Sequence, residues 1–297
     1  MTSPLWRSLL YVPAHNDHFV AKAHTRGADA IQLDLEDSVP PDRKDEARQK
    51  ARESAPDVAR SGADIVVRIN RSWRLALHDL EAVVSRHVHA LALPKVDSPG
   101  HVALVDEVLS ELESERGLSP GSTQLIAMIE TAGGFLQAEQ IAASSPRLAA
   151  LTLGSEDFAL SIGVKPDPDV MAYPKQHVAI AARAAGLAPI GLVGTLASYD
   201  DLDAFRDVAR RSRRLGCEGA SAIHPAQVPI LNEEFSPTAD EVEEAEQVLR
   251  AYENALSHGE GATTLNGNMI DNPVVERAQR LLDRHAQIQR RERSGQS

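Results

Sequence analysis

The chain has 297 residues, 42% of them hydrophobic and 25% charged, and carries a formal net charge of −12. That balance suits a soluble globular protein and excludes a disordered chain or a general nucleic-acid binder. No apolar run reaches the roughly 18 residues of a membrane span, and the first residues hold no apolar core of signal-peptide length. With one cysteine, Cys217, an internal disulfide is excluded and a reducing cytoplasm is the expected compartment.

Eight short segments then repeat one pattern: an apolar run, a polar or glycine-bearing end, and a helical stretch. In chain order they begin with RSLLYVPA (7–14), DAIQLDLED (29–37), DIVVRIN (64–70) and ALALPKV (90–96). QLIAMIET (124–131), LAALTLGSEDF (148–158), PIGLVG (189–194) and GASAIHP (219–225) follow. Nearly continuous apolar runs are what parallel strands buried on both faces look like. Amphipathic stretches such as DDLDAFRDVARRSRRLG separate them, with Gly216 as a stop. Eight βα units within about 220 residues predict a (β/α)8 barrel rather than an open doubly wound sheet. The glycine-rich phosphate fingerprints of open sheets are absent.

After the eighth unit the pattern changes to a charged helical stretch, the segment EGATTLNGNMIDNPVV and a final helix. Gly259, Gly261 and Gly267 predict a mobile connection there. The expected division is a barrel over 1–257 and a C-terminal lid segment and helix over 258–297.

In such a barrel the C-terminal strand ends surround the active site. Those ends supply Glu36, Asp37, Arg68, Asn70, Lys95, Glu130, Glu156, Asp157 and His224. Two carboxylates from neighbouring strands, Glu130 and Asp157, suit a hard cation such as Mg²⁺, which binds through one or two carboxylates. The same two residues also suit plain ion pairs with Arg68 and Lys95. Arg68 suits a two-pronged grip on a carboxylate or carbonyl oxygen, or an ion pair with Glu36 or Asp37. Lys95 raises a Schiff-base alternative, which its acidic surroundings disfavour by keeping the amine protonated. Backbone N–H groups in LGSEDFA and after ETAGG are candidate anion sites where helices begin. Cys217 and the run RRSRR read as an inert thiol and a solvated helix face.

RSLLYVP, GADAIQLDLEDSV, VRIN, LPKV, IETAGG, LGSEDFA, IHPAQ and MIDNPVVERA occur in this order from about residue 7 to 281. Together they resemble the HpcH/HpaI aldolase–citrate lyase family, in its citrate lyase β-subunit-like branch. The resemblance implies a barrel that cleaves or forms a carbon–carbon bond in a 3-hydroxyacyl-CoA thioester, such as malyl-, citramalyl- or citryl-CoA. It implies Glu130 and Asp157 as ligands of Mg²⁺ (or Mn²⁺), and Arg68 as binder of the 2-oxo acid oxygens. Glu36 and Asp37 match positions that support metal-bound water and the arginine. Gly154, Ser155, Glu156 and Lys95 are the further substrate-binding candidates, and Lys22 is the candidate phosphate partner for CoA. Asp271 matches an acidic residue that the C-terminal segment presents to a neighbouring subunit, in a homotrimer or a multiple of trimers. Two positions depart from the pattern: His18 stands where many members have an arginine that helps bind CoA, and Asn268 where many have lysine. A hydroxyacyl-CoA thioesterase and a class II aldolase acting on CoA-free 2-oxo acids therefore stay open as alternatives.

Overall fold

The computed structural model describes residues 4–194 and 200–294. The chain forms two compact units, Met1–Phe235 and Ser236–Ser297. The first contains all eight expected strands: β1 (Ser8–Pro13), β2 (Ala30–Asp34), β3 (Asp64–Arg68), β4 (Ala90–Leu93), β5 (Gln124–Ile129), β6 (Leu148–Leu153), β7 (Ala188–Ile190) and β8 (Ala220–Ala222). Each lies parallel to its neighbours, in the order β7-β6-β5-β4-β3-β2-β1-β8. A parallel bridge between Ile190 and Gly219 joins the two ends of that order, and the Gly191 N–H donates to the Gly219 carbonyl at 2.8 Å. The sheet is therefore a closed barrel. Gly219 is required at the seam, because a Cβ there would run into the Trp6 carbonyl and come within 3.0 Å of the Arg7 Cα.

Alternation along the strands sorts residues into two layers. Ile31, Leu33, Ile65, Val67, Leu91 and Leu93 join the large cluster packed under the helices. Ala30, Val66, Ala90, Ala92, Ile126 and Ala150 form a second, inner cluster. Small residues dominate this inner layer, which leaves room above it for the polar side chains that follow at the same alternation: Asp34 after Ala30, Arg68 after Val66, Glu130 after Ile126 and Met128. An apolar run can thus end on a carboxylate, because Glu130 is the next inward position at the mouth of the barrel.

At the opposite end, His89 Nδ1 accepts from the Ile65 N–H at 3.0 Å, so this histidine serves the base of the barrel. The helix predicted from DDLDAFRDVARRSRRLG runs from Leu202 to Arg214, starts on an Asp201 cap and is followed by Gly216 at φ +100°. Its RRSRR run is not simply solvated: Ser212 is buried, while Arg210 pairs with Glu234 and Arg211 with Asp169. Cys217 is free and buried, and burial pushes its thiol up to about 11.

In the second unit, the helices Ala239–Ser257 and Asn272–Ser294 share an apolar cluster around Ala245, Val248, Ile270 and Ala278. That packing assigns the helix Ala239–Ser257 to the C-terminal unit, upstream of the expected division at 257/258. The glycine-rich connection contains an antiparallel hairpin of β9 (Thr263–Leu265) and β10 (Asn268–Ile270). Its turn places Asn266 at φ 51° and Gly267 at φ 80°, the two positive values a tight two-residue hairpin turn needs. No helix among the described residues is long and apolar enough to cross a membrane.

Candidate active site

A cavity of 510 Å³ opens at the C-terminal strand ends. Arg68, at the end of β3, is its central cation. The guanidinium grips Asp34 with two parallel bonds, Nε to Oδ1 at 2.7 Å and Nη2 to Oδ2 at 2.8 Å. Nη1 pairs with Glu36 at 2.9 Å, and the Tyr11 ring lies 4.9 Å from the guanidinium carbon. Burial alone would raise the Asp34 carboxyl, yet the Arg68 guanidinium overrides this and holds it below the usual carboxylate range. The Ser38 hydroxyl and the Glu36 N–H also donate to Asp34. Arg68 is therefore fixed in one orientation before any ligand arrives.

Asp34 is a cavity residue absent from the sequence reading. Its signal was the alternation Gln32, Asp34, Glu36, which puts all three on the inward side, but the run DLED drew attention only to its end.

Lys95 organises the acidic side. Its ammonium lies 3.1 Å from Glu36, 3.2 Å from Asp157 and 3.7 Å from Asp37. Burial opposes the charge, but Glu36, Glu130 and Asp37 together raise the amine's pKa, so it stays protonated and a Schiff-base role is disfavoured. The Lys95 backbone sits in the left-handed region at φ 50° and its N–H donates to Glu130 Oε2 at 2.7 Å. A non-glycine residue in that region stores strain, and here the result is a fixed donor on a buried carboxyl.

Glu130 is 3% exposed. Burial, reinforced by the charges of Glu36 and Asp157, pushes its carboxyl up to about 7 against the Lys95 N–H and ammonium. Gly154 permits this placement: a Cβ there would stand 2.7 Å from Glu130 Cγ and 3.0 Å from Cδ, and would overlap Oε1. Gly154, Ser155, Glu156 and Asp157 all line the cavity and open the helix Ser155–Ile162. First-turn N–H groups of a helix favour an anion. The Ser155 hydroxyl itself donates to the Gly194 carbonyl at 3.0 Å, tying the β6 loop to the β7 loop.

The amides after Glu130 behave differently. Thr131 Oγ1 accepts from the Gly134 N–H, and the Ser161 hydroxyl accepts from the Ala132 N–H. Gly134 is required because a Cβ would collide with the Val96 carbonyl. Two amides of the ETAGG turn are thus spent on its own packing.

Arg68, Glu36, Asp37, Lys95, Glu130 and Asp157 are brought together. Asn70 is not; its backbone and side-chain amides donate to Asp79, away from the cavity lining. His224 lies exposed and accepts from the Ala226 N–H. Lys22 sits on the exposed helix Asp17–Ala23, 3.3 Å from His18. Asp271 follows β10 in the second unit; its backbone carbonyl accepts from the Val274 and Val275 N–H groups, and its carboxylate from the Val274 N–H at 3.4 Å. A second residue absent from the sequence reading, Lys175 of the helix Pro168–Ala184, also lines the cavity.

No group of three or more His, Cys, Asp or Glu with metal-binding geometry occurs among the described residues. Two carboxylates are nevertheless what Mg²⁺ takes from many proteins, with water and substrate oxygens completing its shell. Oxygen-only donors exclude a zinc-type site. Burial and the neighbouring carboxylates push Glu130 up to about 7, and a bound cation would oppose both by favouring its charged form.

The model of the HpcH/HpaI aldolase/citrate lyase family matches residues 7–225. The chain belongs to that family. It is 34% identical over 281 residues to the citrate lyase subunit beta of Leuconostoc mesenteroides, covering 94% of this chain and 92% of that protein. It is 33% identical over 297 residues to the L-malyl-CoA/beta-methylmalyl-CoA lyase of Cereibacter sphaeroides, covering 92% of each. Among solved structures, this family member is similar to RipC from Yersinia pestis, with 30% identity, a TM-score of 0.65 and coverage of 81% and 99%. It is also similar to CitE from Mycobacterium tuberculosis in complex with magnesium, acetoacetate and coenzyme A. There the identity is 26%, the TM-score 0.73 and the coverage 96% and 98%.

Proposed function

We propose that this chain is a Mg²⁺-dependent carbon–carbon lyase. It cleaves, or forms, a 3-hydroxyacyl-CoA thioester such as malyl-, citramalyl- or citryl-CoA, with an acyl-CoA and a 2-oxo acid as the other side of the reaction. The observation that carries this reading is the Glu130 carboxyl, 3% exposed, in the same cavity as an arginine that Asp34 orients with two bonds. Identities of 34% to a citrate lyase subunit beta and 33% to an L-malyl-CoA/beta-methylmalyl-CoA lyase support it.

Glu130 and Asp157 would hold the metal, Mg²⁺ or Mn²⁺. When bound, it supplies Lewis-acid polarisation of the oxo-acid oxygens. Arg68 binds the same oxygens through N–H groups pre-aimed by Asp34 and Glu36. Such preorganised donors act where charge develops and need no reorganisation during the reaction. Glu36, Asp37 and Lys95 keep the acidic side of the cavity in place. Gly154 to Asp157 receive the substrate carboxylate at a helix start. In the cleavage direction the hydroxyl proton passes to water as the carbon–carbon bond breaks, and the thioester enolate takes a proton at carbon. Asp271, presented by a neighbouring subunit in a homotrimer or a multiple of trimers, is assigned that last proton transfer. Lys22 is kept as the phosphate partner for CoA, and the buried Cys217 suits a reducing cytoplasm. A CoA-free aldolase is the second reading, favoured by His18 and Asn268 in place of the family's basic residues.

The test is mass spectrometry of products from malyl-, methylmalyl-, citramalyl- and citryl-CoA with Mg²⁺. EDTA and Asp271→Asn serve as controls. An acyl-CoA plus a 2-oxo acid, lost in both controls, is the expected result. Free CoA with an intact hydroxy acid makes the chain a thioesterase. No turnover of any thioester overturns the CoA reading in favour of the CoA-free aldolase.

A further inference from the structure

Lys175 has no role in the chemistry above, yet it is a buried cation on the cavity wall. Its side chain is 5% exposed, and its ammonium donates to the Leu153 carbonyl at the end of β6. Gly191, at the end of β7, presents no side chain to it; a Cβ there would stand 3.4 Å from Nζ and 3.8 Å from the Thr152 hydroxyl. Among the described residues no carboxylate forms an ion pair with Lys175. Its electrostatic neighbours are the buried thiol of Cys217 and, at longer range, Glu130. Desolvation accordingly pulls the amine down to about 8.

The other cations of the site are already matched. Asp34 and Glu36 neutralise Arg68, and Glu36, Asp37 and Asp157 surround Lys95. A buried ammonium satisfied only by a carbonyl is costly, and a ligand anion removes that cost. The depth of Lys175 limits what the anion can be. A CoA phosphate carries a nucleotide or pantetheine chain, which a side chain 5% exposed in a cavity of 510 Å³ cannot meet. A carboxylate on a short acid can.

We propose that Lys175 is a specificity-determining residue that binds a second carboxylate on the oxo-acid half of the substrate, so that the site prefers a 2-oxo dicarboxylic acid to a 2-oxo monocarboxylic one. This rests on the lyase reading, in which Arg68, the metal and the start of the helix Ser155–Ile162 take the first carboxylate and the oxo oxygen. Gly191 provides the space for the second.

The experiment is calorimetric titration of the Mg²⁺-loaded protein with malate and with lactate, the stable reduced forms of a four-carbon dicarboxylic and a three-carbon monocarboxylic oxo acid. The wild type binds malate about 10-fold or more tightly than lactate, as expected for one added charge-assisted contact. Lys175→Met weakens malate about 10- to 100-fold and leaves lactate within about twofold. Lys175→Arg restores most of the malate preference, and Lys175→Gln gives the same reading as the methionine variant should that one fail to fold. The preference also fades from pH 7 to 9 as the free amine loses its proton.

Equal weakening of both acids, an unchanged malate affinity in Lys175→Met, or no binding of malate to the wild type overturns the proposal. A Lys175-dependent malate preference without cleavage of any thioester keeps this subsite and removes the lyase reading. Cleavage without that dependence does the reverse.

Discussion

At the scale of single residues, the proposed chemistry rests on two groups, one set by its ion pairs and the other by burial. Arg68 is useful because Asp34 fixes it, with two bonds that a lysine cannot reproduce. Arg68→Lys is expected to lower kcat/KM about 10²- to 10³-fold, the size seen when one oriented donor is lost from a transition-state site. Steady-state kinetics with circular dichroism as a folding control reads this. Glu130 makes a pH prediction. Its value in the folded chain, about 7, lies above the ordinary 4.5. Its contribution to stability is therefore full below pH 4.5 and is lost as the pH rises through 7. The difference is worth roughly 3 kcal/mol. Metal binding must displace that proton, so Mg²⁺ uptake is expected to release nearly one proton at pH 6 and almost none at pH 8. Calorimetry in two buffers of different ionisation heat measures the release, and Glu130→Gln abolishes it.

At the scale of elements, the strand ends and the turns after them set the geometry. The β6-to-helix junction works only because Gly154 leaves space for the Glu130 carboxyl. Gly154→Ala is expected to cost about 1–3 kcal/mol by overpacking and to weaken Mg²⁺ binding, with the barrel intact. Thermal melts with and without Mg²⁺ separate the two effects. The turn after β5 shows the opposite use of glycine, since Gly134 serves only the close approach of the Val96 carbonyl. The hairpin β9–β10 shows how a local signal was passed over. Asn-Gly between alternating residues is a strong two-residue hairpin signal, and the order of those two residues folds a segment whose glycine content alone predicts a mobile connection.

At the scale of the whole molecule, the barrel explains why residues far apart in the chain act together. Asp34, Arg68, Lys95 and Glu130 come from the ends of successive strands and Asp157 from the first turn of the helix after β6, so barrel closure brings them to one mouth. The C-terminal unit carries Asp271, and the proposal that it serves a neighbouring subunit makes a direct prediction. Arg68→Lys and Asp271→Asn chains, each inactive alone, are expected to regain activity when their subunits exchange. Within one mixed oligomer, an intact Arg68 from one chain then meets an intact Asp271 from another. A site built wholly within one chain gives no recovery. Activity after co-refolding, with sedimentation to count the subunits, decides between them.

Much of this was legible in the residues themselves. Apolar runs ending on charges predict eight buried parallel strands, because the backbone of a strand forces alternation and a parallel sheet buries both faces. The position of Arg68 and Glu130 at strand ends follows from the same rule, whereas Asp157 lies in the first turn of the helix after β6; the family resemblance attached roles to all three. What needed the tertiary structure was every pairing that depends on distance across the barrel. Asp34 lay two residues from Glu36 in an acidic run, and nothing local showed that it, rather than Glu36 or Asp37, grips Arg68 with both oxygens. Lys175 sits on a helix 22 residues past Leu153, where a lysine reads as solvated surface. Only the packing of that helix against β6 and β7 buries it at the cavity wall. Sequence determined which residues alternate inward, because that is a property of each strand alone; the fold decided which of them meet, because ion pairing and desolvation depend on neighbours contributed by other strands.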